Sequence, residues 1–280
     1  MRVNIFDIQM KLNADASKNL ETFLPFLSSS GLPVDFELDI QNCNHIDAPK
    51  EKPVVVENIA WATVKENDAK RYYSFVADEN PDRLDSLLEI DENWKKATLK
   101  ISDTIFLDHQ IVPLMDLLFR NLILYHDGIL VKSSSIKWKE HGIVFTACPD
   151  GGKSTQANLW KKHKNALIVN DEMSAIKHQN DNVWMYGTPW RSIESNPEEN
   201  KARLKAVVIL EKAEKNHIRK LERPEIIKRF YPRCFLPYFD QLHMEKALEN
   251  LHNIITNVPF YVMQCKPEKE AVDMLAQWLV

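Results

Sequence analysis

The 280-residue chain is 44% hydrophobic, enough to fill the core of one large domain or two modest ones. A formal charge of -4 offers no general attraction to nucleic acid or to an anionic membrane surface. No apolar run reaches the ~20 residues that span a bilayer, and the opening MRVNIFDIQM lacks a positive region followed by a long apolar one, so neither a membrane span nor a secretory signal is expected.

Residues 1–105 read as strand-rich. Val34, Phe36, Leu38 and Ile40 alternate with polar neighbours, residues 54–64 do so in part, and residues 72–76 and 97–101 look similar. Period-two alternation marks strands with one wet face. Turn chemistry at 28–33, 47–53 and 80–82 separates them, and a short helix is expected over 17–27. Residues 111–125 read as a buried helix leading to the turn His126-Asp127-Gly128. Near it strand-rich sequence gives way to an alternating α/β region, which sets the division at 1–105 and 106–280. Two strands follow, 129–138 and 142–146, joined by a hairpin at 139–142. After Lys153 the spacing of Ala157, Leu159 and Trp160 is helical, ending near 163–165. Strands are expected at 166–169, 173–177, 183–186 and 204–210. Pro224 opens a helix towards Phe230, and a longer helix runs over 238–255 with Leu242, Ala247, Leu248 and Leu251 on one side. A strand at 259–265 and a helix at 268–279 complete a mixed α/β chain.

Only six glycines occur, and two are adjacent just before Lys153. A chain this poor in glycine uses it where the backbone demands it. The segment Ala147-Cys148-Pro149-Asp150-Gly151-Gly152-Lys153-Ser154-Thr155 departs by one residue from G-x-x-x-x-G-K-[ST], with Ala147 at the first glycine position. An apolar strand precedes it and a helical pattern follows. A triphosphate needs several backbone N–H groups and the positive end of a helix converging on its oxygens. Gly152 lets the backbone approach closely, Lys153 reaches the β- and γ-phosphates, and the Ser154 hydroxyl is an oxygen ligand for Mg²⁺. Ala147, Pro149, Asp150, Gly151 and Thr155 complete the expected nucleotide-binding loop.

Downstream, the apolar run Leu167 to Val169 leads through Asn170 to the carboxylates Asp171 and Glu172. In α/β sheets the carboxyl ends of strands face the ligand crevice. One carboxylate can orient Mg²⁺ and the other accept the proton of an attacking hydroxyl. Asp171 is assigned as general base and Glu172 as the metal-side group, with the reverse left open. Lys132, Arg191, Lys205, His126 and His141 are further candidates. Arg191 follows a turn-rich segment and could clamp the transferring phosphoryl group. The four cysteines form no C-x-x-C pair, so reduced thiols in a cytoplasmic protein are expected, with neither a zinc knuckle nor a redox motif.

The order IVFTACPDGGKSTQANLW, VNDEMSAI, VWMYGTPW, RLKAVVILE resembles the HPr-kinase-like serine kinases, whose fold is shared with the phosphoenolpyruvate carboxykinases. It looks most like their small bacterial relatives, some of them associated with lasso peptides. The resemblance covers residues 115–280 and is strongest over 142–211. It implies an ATP- and Mg²⁺-dependent kinase acting on a serine-type hydroxyl of a peptide or protein. Such relatives carry a serine where Asp150 stands, a second aspartate where Glu172 stands, and in many cases a histidine where Lys132 stands. The glycine-rich signature of true HPr kinases after the YGTPW segment is absent, which argues against HPr as acceptor. A nucleotide-dependent accessory protein and a small-molecule kinase, for example for free serine, remain the alternative readings.

Overall fold

The computed structural model describes residues 1–14, 21–47, 55–57, 60–64, 71–76, 84–102, 108–190, 201–238 and 240–279. The chain divides into two units, Met1–Leu122 and Ile123–Val280. Both are built on β-sheet, and with the helices the molecule is mixed α/β.

Among its described residues the first unit carries eight strands: β1 Arg2–Ile5, β2 Ile8–Ala14, β3 Phe36–Cys43, β4 Val55–Glu57, β5 Ala60–Val64, β6 Arg71–Val76, β7 Leu84–Ile90 and β8 Lys96–Ser102. They form one sheet in the order β1-β2-β3-β8-β7-β6-β5-β4. Phe6 and Asp7 both take φ of 60° and make the tight turn between β1 and β2. Ile8, Met10 and Leu12 face inward with Phe36, Leu38 and Ile40. The other face carries the cross-strand pairs Lys11–Glu37 and Lys96–Asp39. Helix α1, Asp108–Leu122, sets Phe119 edge-on to Phe6 at 5.7 Å and stacked on Phe23 at 6.3 Å.

The sequence reading passed over β1, β2 and β7. In β7 the alternation fails because Leu87 and Leu88 are both buried and Ser86 takes a core position. The helix expected over 17–27 appears as a 3-10 turn at Glu21–Phe26, and residues 15–20 lie outside the described residues. The turns at 47–53 and 80–82 fall wholly or largely outside them as well.

In the second unit a 3-10 turn, Ile123–His126, leads to β9 Gly128–Lys132, β10 Ser134–Trp138, β11 His141–Thr146, α2 Lys153–Lys164 and β12 Leu167–Asn170. Then come β13 Met173–Gln179, β14 Asn182–Tyr186, β15 Lys201–Lys212, β16 His217–Lys220, α3 Arg223–Phe230, α4 Gln241–Asn257, β17 Phe260–Cys265 and α5 Lys269–Trp278. The sheet order is β12-β10-β11-β15-β14-β13-β9, with β17 also on β15 and β16 on β17. Two buried clusters lie against the sheet. Ala157 and Trp160 of α2 pack with Ala271, Val272 and Leu275 of α5 in one. Ile226 and Phe230 of α3 pack with Leu251 and Ile254 of α4 in the other. Among the described residues no helix is long and apolar enough to cross a membrane.

One expected strand, 129–138, is two. It breaks at Ser133, whose N–H donates to the Glu172 carbonyl at 3.2 Å, and β9 and β10 then join different parts of the sheet. Hydrophobic alternation does not register such a break, because all three serines, Ser133 to Ser135, are fully buried. The helix expected from residue 238 starts at Gln241, because the Asp240 side chain accepts from the His243 N–H at 2.9 Å and caps it.

Strands β11, β15 and β17 are mutually parallel, so Thr146, Lys212 and Cys265 end on the same side. β12 is antiparallel to β10, which is antiparallel to β11, so Asn170 ends there too. The loop and both carboxylates follow directly from these ends.

Candidate functional site

A cleft of about 1130 Å³ opens at these strand ends. It is lined by Lys132, by residues 149–156, by Asp171 and Glu172, and by residues 210–214 and 265–267. Small-molecule sites occupy roughly 300–1,000 Å³, so the space suffices for a nucleotide.

The loop between β11 and α2 takes its shape from three residues. Gly152, the N-cap of α2, has φ of 92° and ψ of 17°, a left-handed conformation that only glycine adopts without strain. Asp150 has φ of 56°, tolerated by its short polar side chain. Gly151 donates its N–H to the Cys148 carbonyl at 3.0 Å. A Cβ on Gly151 would lie 2.5 Å from the Ala147 Cβ and 2.9 Å from the Cys148 oxygen. Ala147 is buried and needs no positive φ, so alanine stands there without backbone strain. The missing methyl has moved four residues along the loop.

Among the described residues no side chain caps α2, and its first turn holds no acidic residue. Its N-terminal N–H groups and the positive end of its dipole therefore point to an anion from outside the helix. Ser154 and Thr155 are exposed at this end.

The carboxylate turn is held by Asn170, which is fully buried. Its Oδ1 accepts from the N–H groups of Glu172 and Met173, each at 2.9 Å. Its Nδ2 donates to the Thr188 hydroxyl and carbonyl at 3.1 Å and to the Trp190 carbonyl at 3.0 Å. Ser134 donates to the Asp171 carbonyl at 3.2 Å. The turn that presents Asp171 and Glu172 is thus fixed by buried and partly buried hydrogen bonds on both flanks, which is how a scaffold holds side chains in place.

Cations gather around the loop. Lys132 Nζ donates to Glu172 Oε2 at 2.7 Å, and the Lys132 carbonyl accepts from Thr146 Oγ1 at 2.9 Å. Burial lowers the Lys153 pKa, Lys132 and Arg233 push it further down, and Glu172 and Asp150 oppose them. Arg233 Nη2 donates to Cys148 Sγ at 2.8 Å, and among the described residues its buried Nε has no hydrogen-bond partner. A thiol is a weak acceptor. Arg233 does not itself line the cleft, so its influence on the loop runs through its contact with Cys148 and through its positive charge near Lys153.

Lys132, Pro149 to Thr155, Asp171 and Glu172 line this one cleft, with Ala147 buried beneath the loop. Other candidates lie elsewhere. His141 and Lys205 line a separate cavity of about 180 Å³ with Trp138, Lys139, Ile143 and Leu279. His141 opens β11, whereas the loop follows its end. His126 precedes β9 at the opposite end from Lys132. Arg191 lies outside the described residues.

The sequence reading missed Asn170, Arg233 and the wall at 210–214 and 265–267. Asn170 had a signal: a buried-type position before two carboxylates, where an asparagine side chain organises a turn. Arg233 had none, because only the fold brings it to Cys148.

No family model matches the chain, and no curated protein matches it. Among solved structures, an Hpr(Ser) kinase/phosphatase from Coxiella burnetii is similar at 12% identity and a TM-score of 0.33, over 53% of this chain and 93% of that one.

Proposed function

We propose that the chain is a phosphotransferase that moves the γ-phosphoryl group of ATP to a serine-type hydroxyl of a peptide or protein. The observation that carries this reading is the convergence, in one cleft, of a glycine-shaped loop at an uncapped helix N-terminus with two carboxylates and an ion-paired lysine. The helix end and Lys153 hold the phosphate chain, and Lys153 with Arg233 offsets the charge that builds on it. Asp171 accepts the proton as the acceptor oxygen forms its bond to the γ-phosphorus and the bond to the β–γ bridging oxygen breaks, leaving ADP.

Among the described residues no cluster of three metal-ligating side chains exists. Mg²⁺ in a phosphoryl-transfer site takes one or two protein oxygens and completes its shell with phosphate and water. The Ser154 hydroxyl and Glu172 would hold it, Glu172 exchanging its Lys132 partner, and the ion when bound supplies charge neutralisation.

Lys153→Ala tests the assignment. With its melting temperature unchanged, the variant is expected to lose transfer by about 10²-fold or more, read as phosphate on the acceptor by mass spectrometry. Undiminished transfer from a folded variant would sink the proposal. A ribosomally made precursor peptide is the acceptor to offer first.

A second reading, a nucleotide-dependent accessory protein, draws on the Lys132–Glu172 pair, which already occupies the metal-side carboxylate. It predicts tight ATP binding with no phosphate on any acceptor.

A further inference from the structure

The cleft has a second wall that the phosphate chemistry does not use. The ends of β15 and β17 build it, with Leu210, Ala213, Cys265 and Pro267 as its apolar part. Glu211 is already held by Arg229 and Gln264, and Glu214 pairs with Lys266 at 3.9 Å.

Gln156 faces this wall from the first turn of α2. Its side chain is nearly inaccessible, at 2% exposure. Nε2 donates to Cys265 Sγ at 3.3 Å, and among the described residues Oε1 has no hydrogen-bond partner. Buried amide oxygens are normally satisfied, and one that is not asks for a donor from outside the protein. Burial raises the Cys265 pKa, so the thiol stays neutral and puts no charge in the slot.

The strand order supplies the direction. The loop follows β11; the carboxylates lie to one side, after β12, and the Gln156 wall to the other, after β15 and β17. A triphosphate with its γ end at Asp171 therefore runs across the loop and delivers its nucleoside to Gln156.

We infer that this wall is the nucleobase subsite and that adenine is its ligand. The ring lies against Leu210, Ala213 and Pro267, and the exocyclic amino group donates to Gln156 Oε1. Guanine would set a carbonyl oxygen against that same oxygen, acceptor against acceptor. The inference rests on the loop being a triphosphate site, and its test separates the two ideas.

The test is titration calorimetry on the full chain with Mg²⁺ and three ligands: inorganic tripolyphosphate, ATP and GTP. Wild type is expected to bind ATP at least about tenfold tighter than either tripolyphosphate or GTP. Gln156→Leu should weaken ATP by about fivefold and leave tripolyphosphate unchanged. Ala213→Trp fills the slot from a half-buried position, so it should abolish the ATP preference and keep tripolyphosphate binding. It also serves if Gln156→Leu does not fold. No tripolyphosphate binding by wild type overturns the phosphate-loop reading, and this inference with it. Tripolyphosphate binding with ATP no tighter, with GTP equal to ATP, or with the preference surviving Ala213→Trp overturns the subsite alone.

Discussion

Ala147 and Gly151 share room for a single methyl group. As a sequence, alanine at the first glycine position looks like damage to the motif. In the structure the two Cβ positions are 2.5 Å apart, so one of the pair must be glycine, and here it is the second. The signal was present in the unusual Gly151-Gly152 pair, but only the folded loop shows which residue the extra glycine serves. Gly151→Ala is expected to lower stability by about 1–3 kcal/mol, as overpacking does, measured by urea unfolding. Ala147→Gly alone removes a buried methyl and should also destabilise. The double variant should recover part of the Gly151→Ala loss, and only part, because the Cys148 oxygen still lies 2.9 Å from the new Cβ. Simple additivity of the two single effects would show that the residues do not share the space.

Among the elements, the legible ones were those whose start or end is written locally. Helix α2 follows a glycine-shaped turn, and α3 opens at Pro224 in its first turn. Strands β9 and β10 were not separable, because their break depends on Ser133 pairing with Glu172, a residue far along the chain. The short, charged β16 was missed for a similar reason: it exists by pairing with β17. Its tie to α3 is testable. Arg219 grips Glu225 with two bonds, 2.8 and 2.6 Å, and so holds that carboxyl down to about 2. Because the folded pKa is depressed, the pair's contribution is complete above the ordinary glutamate range, ~4.3. It is lost as pH falls from there through about 2. Glu225→Gln should therefore melt below wild type at pH ~7 and approach it at pH ~3. A gap of the same size at both values would mean that the ion pair is not the cause.

For the whole molecule, the site divides into a part written in one stretch and a part assembled by topology. Residues 147–155 carry their chemistry in sequence order, and so does the run ending in Asp171 and Glu172. Arg233 beside Cys148, and Gln156 facing Cys265, are contacts over 85 and 109 positions that hydrophobic spacing does not encode. All of these groups nevertheless belong to one unit. Ile123–Val280 contains every described residue that lines the cleft and both buried clusters flanking its sheet. A unit with its own core can fold alone. A fragment of residues 123–280 is therefore expected to unfold cooperatively and to bind Mg²⁺-tripolyphosphate within about threefold of the full chain, a difference below ~1 kcal/mol. If the fragment is folded but binds tenfold or more weakly, the first unit takes part in the phosphate site. If binding is retained while transfer to a peptide acceptor disappears, the first unit acts on the acceptor side. Loss of cooperative unfolding would show instead that the second unit needs the first for its core.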